Sequence, residues 1–233
     1  MLVNAYGASI KGEFHKKNKL PNQDAYLIHK HKQYTLVVVC DGLGSKKHSK
    51  RGSKKLSKAF KKEVKRFYNQ QKFDFSFLIK NVAKRWERSL FPFKARDSDT
   101  TCLFALISSK NILMAQIGDG LIVFKSKNGA VIIKEDSNDF TNETQTFNKS
   151  SINQWTVKSI KPNAYEDLSL LLCTDGIGND LKIEHLDDFI GDLVQTIQTK
   201  ETNQNKTLVK IISNWPNKFS TDDKTIVVVN ING

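Results

Sequence analysis

At 233 residues, with 39% hydrophobic and 26% charged positions, the chain is long enough for one well-cored domain and too apolar to be a disordered segment. Its 37 Lys and Arg against 24 Asp and Glu leave a formal charge of +13, which favours acidic or phosphorylated partners without choosing among them. No apolar run approaches the ~20 residues of a membrane helix, and residues 1–20 hold no apolar signal core, so a cytoplasmic protein that does not engage a membrane is expected.

Residues 2–10 alternate weakly and predict a first strand, and residues 15–19 read as a basic loop. Pro21-Asn22-Gln23-Asp24 is turn chemistry, after which Ala25 to Ile28 resumes a strand. Residues 33–40 form a strongly β-branched strand ending at Asp41. Residues 45–68 predict a lysine-rich amphipathic helix with Leu56, Ala59, Phe60, Val64 and Phe67 on its apolar stripe. A second helix is expected over 75–90, capped by Asp74 and ended by Pro92. Strands follow at 101–107 and 112–117, then a hairpin from 121–124 to 130–134 around Asn128-Gly129. Residues 136–153 are polar and read as a surface loop, before a strand at 155–160 and a strand from Leu168 that ends in Asp175. Helices at 184–199 and 207–215 and a strand at 226–229 close a single domain, 1–233, of α+β type: antiparallel sheets flanked by helical pairs.

Two stretches carry the same pattern. Val37-Val38-Val39-Cys40-Asp41-Gly42-Leu43-Gly44 and Leu170-Leu171-Leu172-Cys173-Thr174-Asp175-Gly176-Ile177-Gly178 are each a strand-length apolar run broken by an acid and glycines. Asp24, Asp119 and Asp222 also stand at strand ends or turns. Carboxylates gathered at strand ends suit a hard cation, and no histidine pair has zinc-ligand spacing, so Mg2+ or Mn2+ is expected over zinc. Cys40, Cys102 and Cys173 lie in apolar runs without a Cys-x-x-Cys spacing and read as buried free thiols of a reducing compartment.

The ordered set resembles the metal-dependent Ser/Thr protein phosphatases of type 2C. Their pattern of Arg-x-x-Asn-Glu-Asp, Asp-Gly-x-Gly, Thr-Thr, Gly-Asp, Thr-Asp-Gly and Asp-Asn-x-Thr is met by Lys19-Leu20-Pro21-Asn22-Gln23-Asp24, Asp41-Gly42-Leu43-Gly44, Thr100-Thr101, Gly118-Asp119, Thr174-Asp175-Gly176 and Asp222-Asp223-Lys224-Thr225. The resemblance spans essentially the whole chain and looks like the compact bacterial form. It implies a four-layer α-β-β-α sandwich with two Mn2+ or Mg2+ ions at one end. Asp41 would bridge both ions and the Gly42 carbonyl would bind one. Asp175 and Asp222 would complete the other, and Asp24 would hold an ion or its water. Asp119 with Asp175 would form a weaker third site. Lys19 takes the position of the phosphate-binding Arg. Hydrolysis of phosphoserine and phosphothreonine in proteins, opposite a cognate Ser/Thr kinase, would follow.

Four positions depart from that pattern. Lys19 offers a point charge where Arg offers a bidentate fork. Gln23 removes a negative charge near the metals, and Asp223, in place of Asn, is expected to return part of it. Leu43 stands where some members carry a candidate acid histidine, so the leaving group must take its proton elsewhere. A non-catalytic module of the same fold that binds a phosphoprotein or regulatory partner is the rival reading. The retained Asp24, Asp41, Asp175 and Asp222 weigh against it, since clustered like charges are costly without a cation. A haloacid-dehalogenase-type reaction wants Asp-x-Asp, which Asp41-Gly42-Leu43 lacks. The lysines of 45–68 are read as a solvated face, so nucleic acid is not expected as a partner. Substrate choice is assigned to residues 136–153 and 216–220.

Overall fold

The computed structural model describes residues 1–69, 74–133, 144–148, 151–162, 167–199, 203–216 and 220–232. Strands β1 (Leu2–Ile10), β10 (Lys224–Asn232), β9 (Leu168–Cys173), β6 (Leu121–Ser126) and β7 (Gly129–Ile133) form one sheet in that order. The other runs β2 (Ala25–Lys30), β3 (Thr35–Cys40), β4 (Cys102–Ile107), β5 (Ile112–Ile117) and β8 (Thr156–Ile160). Every neighbouring pair is antiparallel. Helices α2 (Ser49–Asn69) and α3 (Phe75–Leu90) cover the second sheet, while α5 (Leu186–Gln198) and α6 (Gln204–Ser213) cover the first. Two short helices, α1 (Glu13–Lys17) and α4 (Asp175–Gly178), lie in the connections.

The continuous apolar runs of the central strands have a direct cause: these strands are buried on both faces. In β3, Leu36, Val38 and Cys40 face α2 and α3, while Val37 and Val39 face the opposite sheet. In β10, Val227, Val229 and Ile231 point between the sheets, and Ile226 and Val228 point to α5 and α6. Period-two alternation thus serves two cores at once. The stripe of α2 packs as expected, with Leu56, Ala59, Phe60, Val64 and Phe67 all buried. Asp74 caps α3, its Oδ1 accepting from the Phe77 amide at 2.6 Å. No helix among the described residues is long and apolar enough to cross a membrane.

The structure shifts the last helix to 204–213 and lengthens the last strand to 224–232, and it changes three further details of the sequence reading. Residues 13–17 are helical, not loop; five residues are too few to display a helical period, and the turn is held by Phe14 N–H donating to the Thr221 carbonyl (3.0 Å). Helix α2 begins at Ser49, because Ser45 to His48 is a turn closed by Lys46 N–H on the Leu43 carbonyl. Of the polar stretch 136–153, residues 136–143, 149 and 150 lie outside the described residues. Its described part is not all surface: Phe147 is fully buried against Phe60, Trp86 and Trp155, and its amide donates to the Thr100 carbonyl (2.9 Å). Of 216–220, residues 217–219 also lie outside the described residues.

Strand register gathers the acids. Cys40 pairs with Ala25, so Asp41 and Asp24 leave adjacent strands side by side. Cys102 pairs with Ile117, which puts Gly118-Asp119 at the same end. Cys173 pairs with both Leu121 and Ile226, so Asp175 and the 222–223 turn emerge there too.

Candidate metal centre

Asp41 is fixed through its backbone. Its carbonyl accepts from Thr100 Oγ1 (2.6 Å) and from the Thr101 amide (2.7 Å), and its amide donates to Thr101 Oγ1 (3.1 Å). The strand then continues into a bridge between Gly42 and Thr100. A side chain at Gly42 would stand 2.7 Å from the Ser49 backbone and 2.9 Å from the Gln23 carbonyl, so only glycine lets the chain pass here. Asp24 is fixed by side chains: Thr174 Oγ1 donates to Asp24 Oδ2 (2.9 Å), and the Asp24 amide donates to Asn22 Oδ1 (2.9 Å). The same Thr174 hydroxyl accepts from the Thr225 amide at 3.1 Å, tying the two sheet ends together. Asp175 begins α4.

Burial pushes Asp24 up to about 8; Asp223 adds to the shift, while hydrogen bonds from Thr225 and Thr174 oppose it. Asp41 is raised well above the ordinary carboxylate range, first by burial and then by Asp24, Asp175 and Asp222. Asp175 rises to about 6 through burial and the Asp119 charge, against a lowering hydrogen bond from the Gly176 backbone. The Asp41 carboxyl bears on both Asp24 and Asp175. Asp24 Oδ1 and Asp175 Oδ1 are buried without a hydrogen-bond partner among the described residues. Such a cluster holds its charges only by taking up protons or cations, and the unsatisfied oxygens fit hard divalent ions. The structure thus brings Asp24, Asp41, Asp175 and Asp222 together with Asp119 at the margin, where Asp119 is exposed and accepts from Thr144 Oγ1 (2.9 Å).

Lys19 is placed differently. It is exposed, with φ 56°, in the left-handed position that ends α1, at the head of the segment leading to Asp24. The cysteines are free and buried. Burial holds the Cys102 and Cys173 thiols well above their ordinary range, as inert core groups.

Sequence reasoning missed His15. Its ring sits 3% exposed beside the acids, with Nδ1 2.7 Å from Asp223 Oδ2. One ring nitrogen of His15 and one oxygen each of Asp222 and Asp223 lie within 4.8 Å of one another. Asp223 accepts from the Gly12 and Gln23 amides and meets His15 beside the Asp222 carboxylate, and its charge bears on Asp24. The departure from Asn at 223 was legible in the sequence; a partner 208 residues away was not.

The chain belongs to the protein phosphatase 2C family, whose model matches residues 11–213. Solved structures share the fold. A bacterial serine phosphatase is 19% identical with a TM-score of 0.71, covering 100% of this chain and 99% of that one. The serine/threonine phosphatase Stp1 from Staphylococcus aureus is 20% identical with a TM-score of 0.70, covering 100% and 96%. The catalytic domain of the serine threonine protein phosphatase PstP, in complex with two manganese ions, is 14% identical with a TM-score of 0.64, covering 99% of each chain. No curated protein sequence matches the chain.

Proposed function

We propose that the chain hydrolyses phosphoserine and phosphothreonine in proteins, using two Mn2+ or Mg2+ ions held by the carboxylate end of the sandwich. The observation that carries this reading is the burial of Asp24, Asp41 and Asp175 at one end of the sheets, with Oδ1 of Asp24 and Oδ1 of Asp175 unsatisfied among the described residues and each carboxyl raised first by burial. Family membership and the two manganese ions of PstP support it. Asp41 and the Gly42 carbonyl would hold one ion, Asp41, Asp175 and Asp222 the other, and Asp119 with Asp175 a weaker third. When bound, the ions supply an activated water and positive charge for the phosphoryl oxygens.

The chain's own groups do the rest. Asp24, held by Thr174 Oγ1, is placed to accept a hydrogen bond from a water in the cleft and orient it. Lys19, exposed and on a four-carbon stem, would meet the substrate phosphate as a point charge. Leu43 offers no proton, so the leaving alkoxide takes its proton from solvent-derived water. The substrates would be cytoplasmic phosphoproteins made by a Ser/Thr kinase.

The test is turnover of p-nitrophenyl phosphate and a phosphothreonine peptide with Mn2+, with Mg2+ and with EDTA, beside Asp41→Asn and Asp175→Asn. Metal-dependent phosphate release lost in both variants is expected. A folded wild type that binds Mn2+ yet turns over neither substrate would overturn catalysis and leave a phosphoprotein-binding module.

A further inference from the structure

His15 and Asp223 have no part in the chemistry proposed above, yet they are the most deeply buried acid and imidazole beside it, 2% exposed for Asp223 and 3% for His15. The carboxylate is fully engaged. Oδ1 accepts from the Gly12 amide at 2.8 Å. Oδ2 accepts from the Gln23 amide at 2.6 Å and meets His15 Nδ1 at 2.7 Å. Both oxygens therefore face donors. An asparagine here, as in the pattern the chain otherwise resembles, would turn an NH2 toward one of those donors and leave it unpaired. The acid at 223 and the histidine at 15 thus fit as a set.

What they join matters more than that they pair. Gln23 precedes Asp24, Asp222 precedes Asp223, and Gly12 opens α1. One backbone contact reinforces the junction, Phe14 N–H donating to the Thr221 carbonyl (3.0 Å), while Asp223 N–H donates to Asp222 Oδ1 (2.7 Å) and holds the Asp222 carboxylate within its own turn. The approach is so close that a side chain at Gly12 would collide with the Asp222 carbonyl. We propose that His15 and Asp223 are a positioning pair, fixing the separation of the Asp24 and Asp222 segments and thereby the affinity of the site for divalent cations. The proposal rests on the metal-centre reading above. Groups one shell outside a metal site commonly set its affinity through ligand placement.

The experiment measures Mn2+ binding by titration calorimetry, with kcat and KM for p-nitrophenyl phosphate at saturating Mn2+. The proteins are wild type, Asp223→Asn, His15→Ala, His15→Gln, the double variant His15→Ala with Asp223→Asn, and Asp41→Asn. Asp223→Asn and His15→Ala are each expected to weaken Mn2+ binding about 10-fold or more, with kcat at saturating metal within about threefold of wild type. His15→Gln, which keeps a donor, retains most of the affinity, and the double variant is no worse than either single change because the two act as one unit. Folded variants that bind Mn2+ as wild type does, while Asp41→Asn does not, overturn the positioning role and leave the metal centre standing. A wild type that binds no Mn2+ overturns both. If every substitution in the pair unfolds the chain, its role is structural and the proposal falls.

Discussion

The turns at Asp41 and Asp175 are near-duplicates in sequence and opposites in structure. Both follow a buried strand that ends in cysteine, and both read Asp-Gly-x-Gly. After Asp41 the chain stays extended, bridging Gly42 to Thr100. After Asp175 it coils into α4, with the Ile177 and Gly178 amides both donating to the Thr174 carbonyl. The consequence is electrostatic. Asp41 stands among Asp24, Asp175 and Asp222. Asp175 faces Asp119 and Asp222 but gains a backbone hydrogen bond from Gly176, as an acid at the start of a helical turn does. One motif thus yields a central carboxylate in one sheet and a flanking one in the other.

Neutralising each acid in turn separates the central carboxylate from the flanking one. Asp41→Asn removes the group that stands among Asp24, Asp175 and Asp222, and kcat/KM on p-nitrophenyl phosphate is expected to fall by ~10³-fold. Asp175→Asn removes a flanking group and should cost ~10²-fold, part of which high Mn2+ recovers. A larger loss at Asp175 than at Asp41, measured over the same Mn2+ series, would reverse the assignment of centre and flank.

This asymmetry shows what a sequence can and cannot display. Asp41 and Asp175 were legible because an apolar run that stops at a charge marks a strand leaving the core, and Asp24 because it closes a turn just before a strand. The layers were legible because double-sided burial leaves unbroken apolar strands such as 36–40 and 170–173. The surroundings that separate Asp41 from Asp175 were not, since they arise from Thr100, Thr101 and Asp119, brought in by register, and from the helical turn that follows Asp175. The His15–Asp223 pair was further out of reach: α1 is too short to show a period, and its partner lies in the last turn of the chain. Phe147 was hidden for the opposite reason, a lone apolar residue in a polar stretch that supplies core to α2 and α3.

The charge environment also fixes a pH response of the metal-free protein. The folded-state value of Asp24, about 8, lies above the ordinary 3.8. Between those values the folded chain holds more protons than the unfolded one, so this group's share of stability falls as pH rises and levels off beyond about 8. Asp175, at about 6, adds to the slope over the lower part of that window. In EDTA, the melting temperature should therefore drop from pH 5 to pH 8, and Asp24→Asn should flatten the drop. Stabilisation by Mn2+ should run the other way and grow with pH, because the cation takes the ionised carboxylates. A slope in EDTA that Asp24→Asn leaves untouched would remove Asp24 from the buried cluster.

The smallest effects make the finest comparison, because each Asp-Gly-x-Gly turn has one confined glycine and one free one. An added Cβ at Gly42 meets the Ser49 and Gln23 backbones, and at Gly176 it runs into the Asp223 carbonyl. Backbone cannot yield as a side-chain tip can, so Gly42→Ala and Gly176→Ala should each cost about 1–3 kcal/mol. For a chain of this length each kcal/mol lowers the melting temperature by roughly 2–4 °C. At Gly44 the nearest atom is the Gln23 side-chain oxygen at 3.8 Å, and at Gly178 it is Leu121 Cβ at 3.4 Å, both ordinary contacts. Gly44→Ala and Gly178→Ala should therefore change stability by no more than about 0.5 kcal/mol. The first glycine of each turn is then a packing requirement of the carboxylate cluster and the second is not, although both belong to the same four-residue pattern. Equal costs at Gly42 and Gly44 would mean that the extended passage after Asp41 is not held as tightly as its bridge to Thr100 implies.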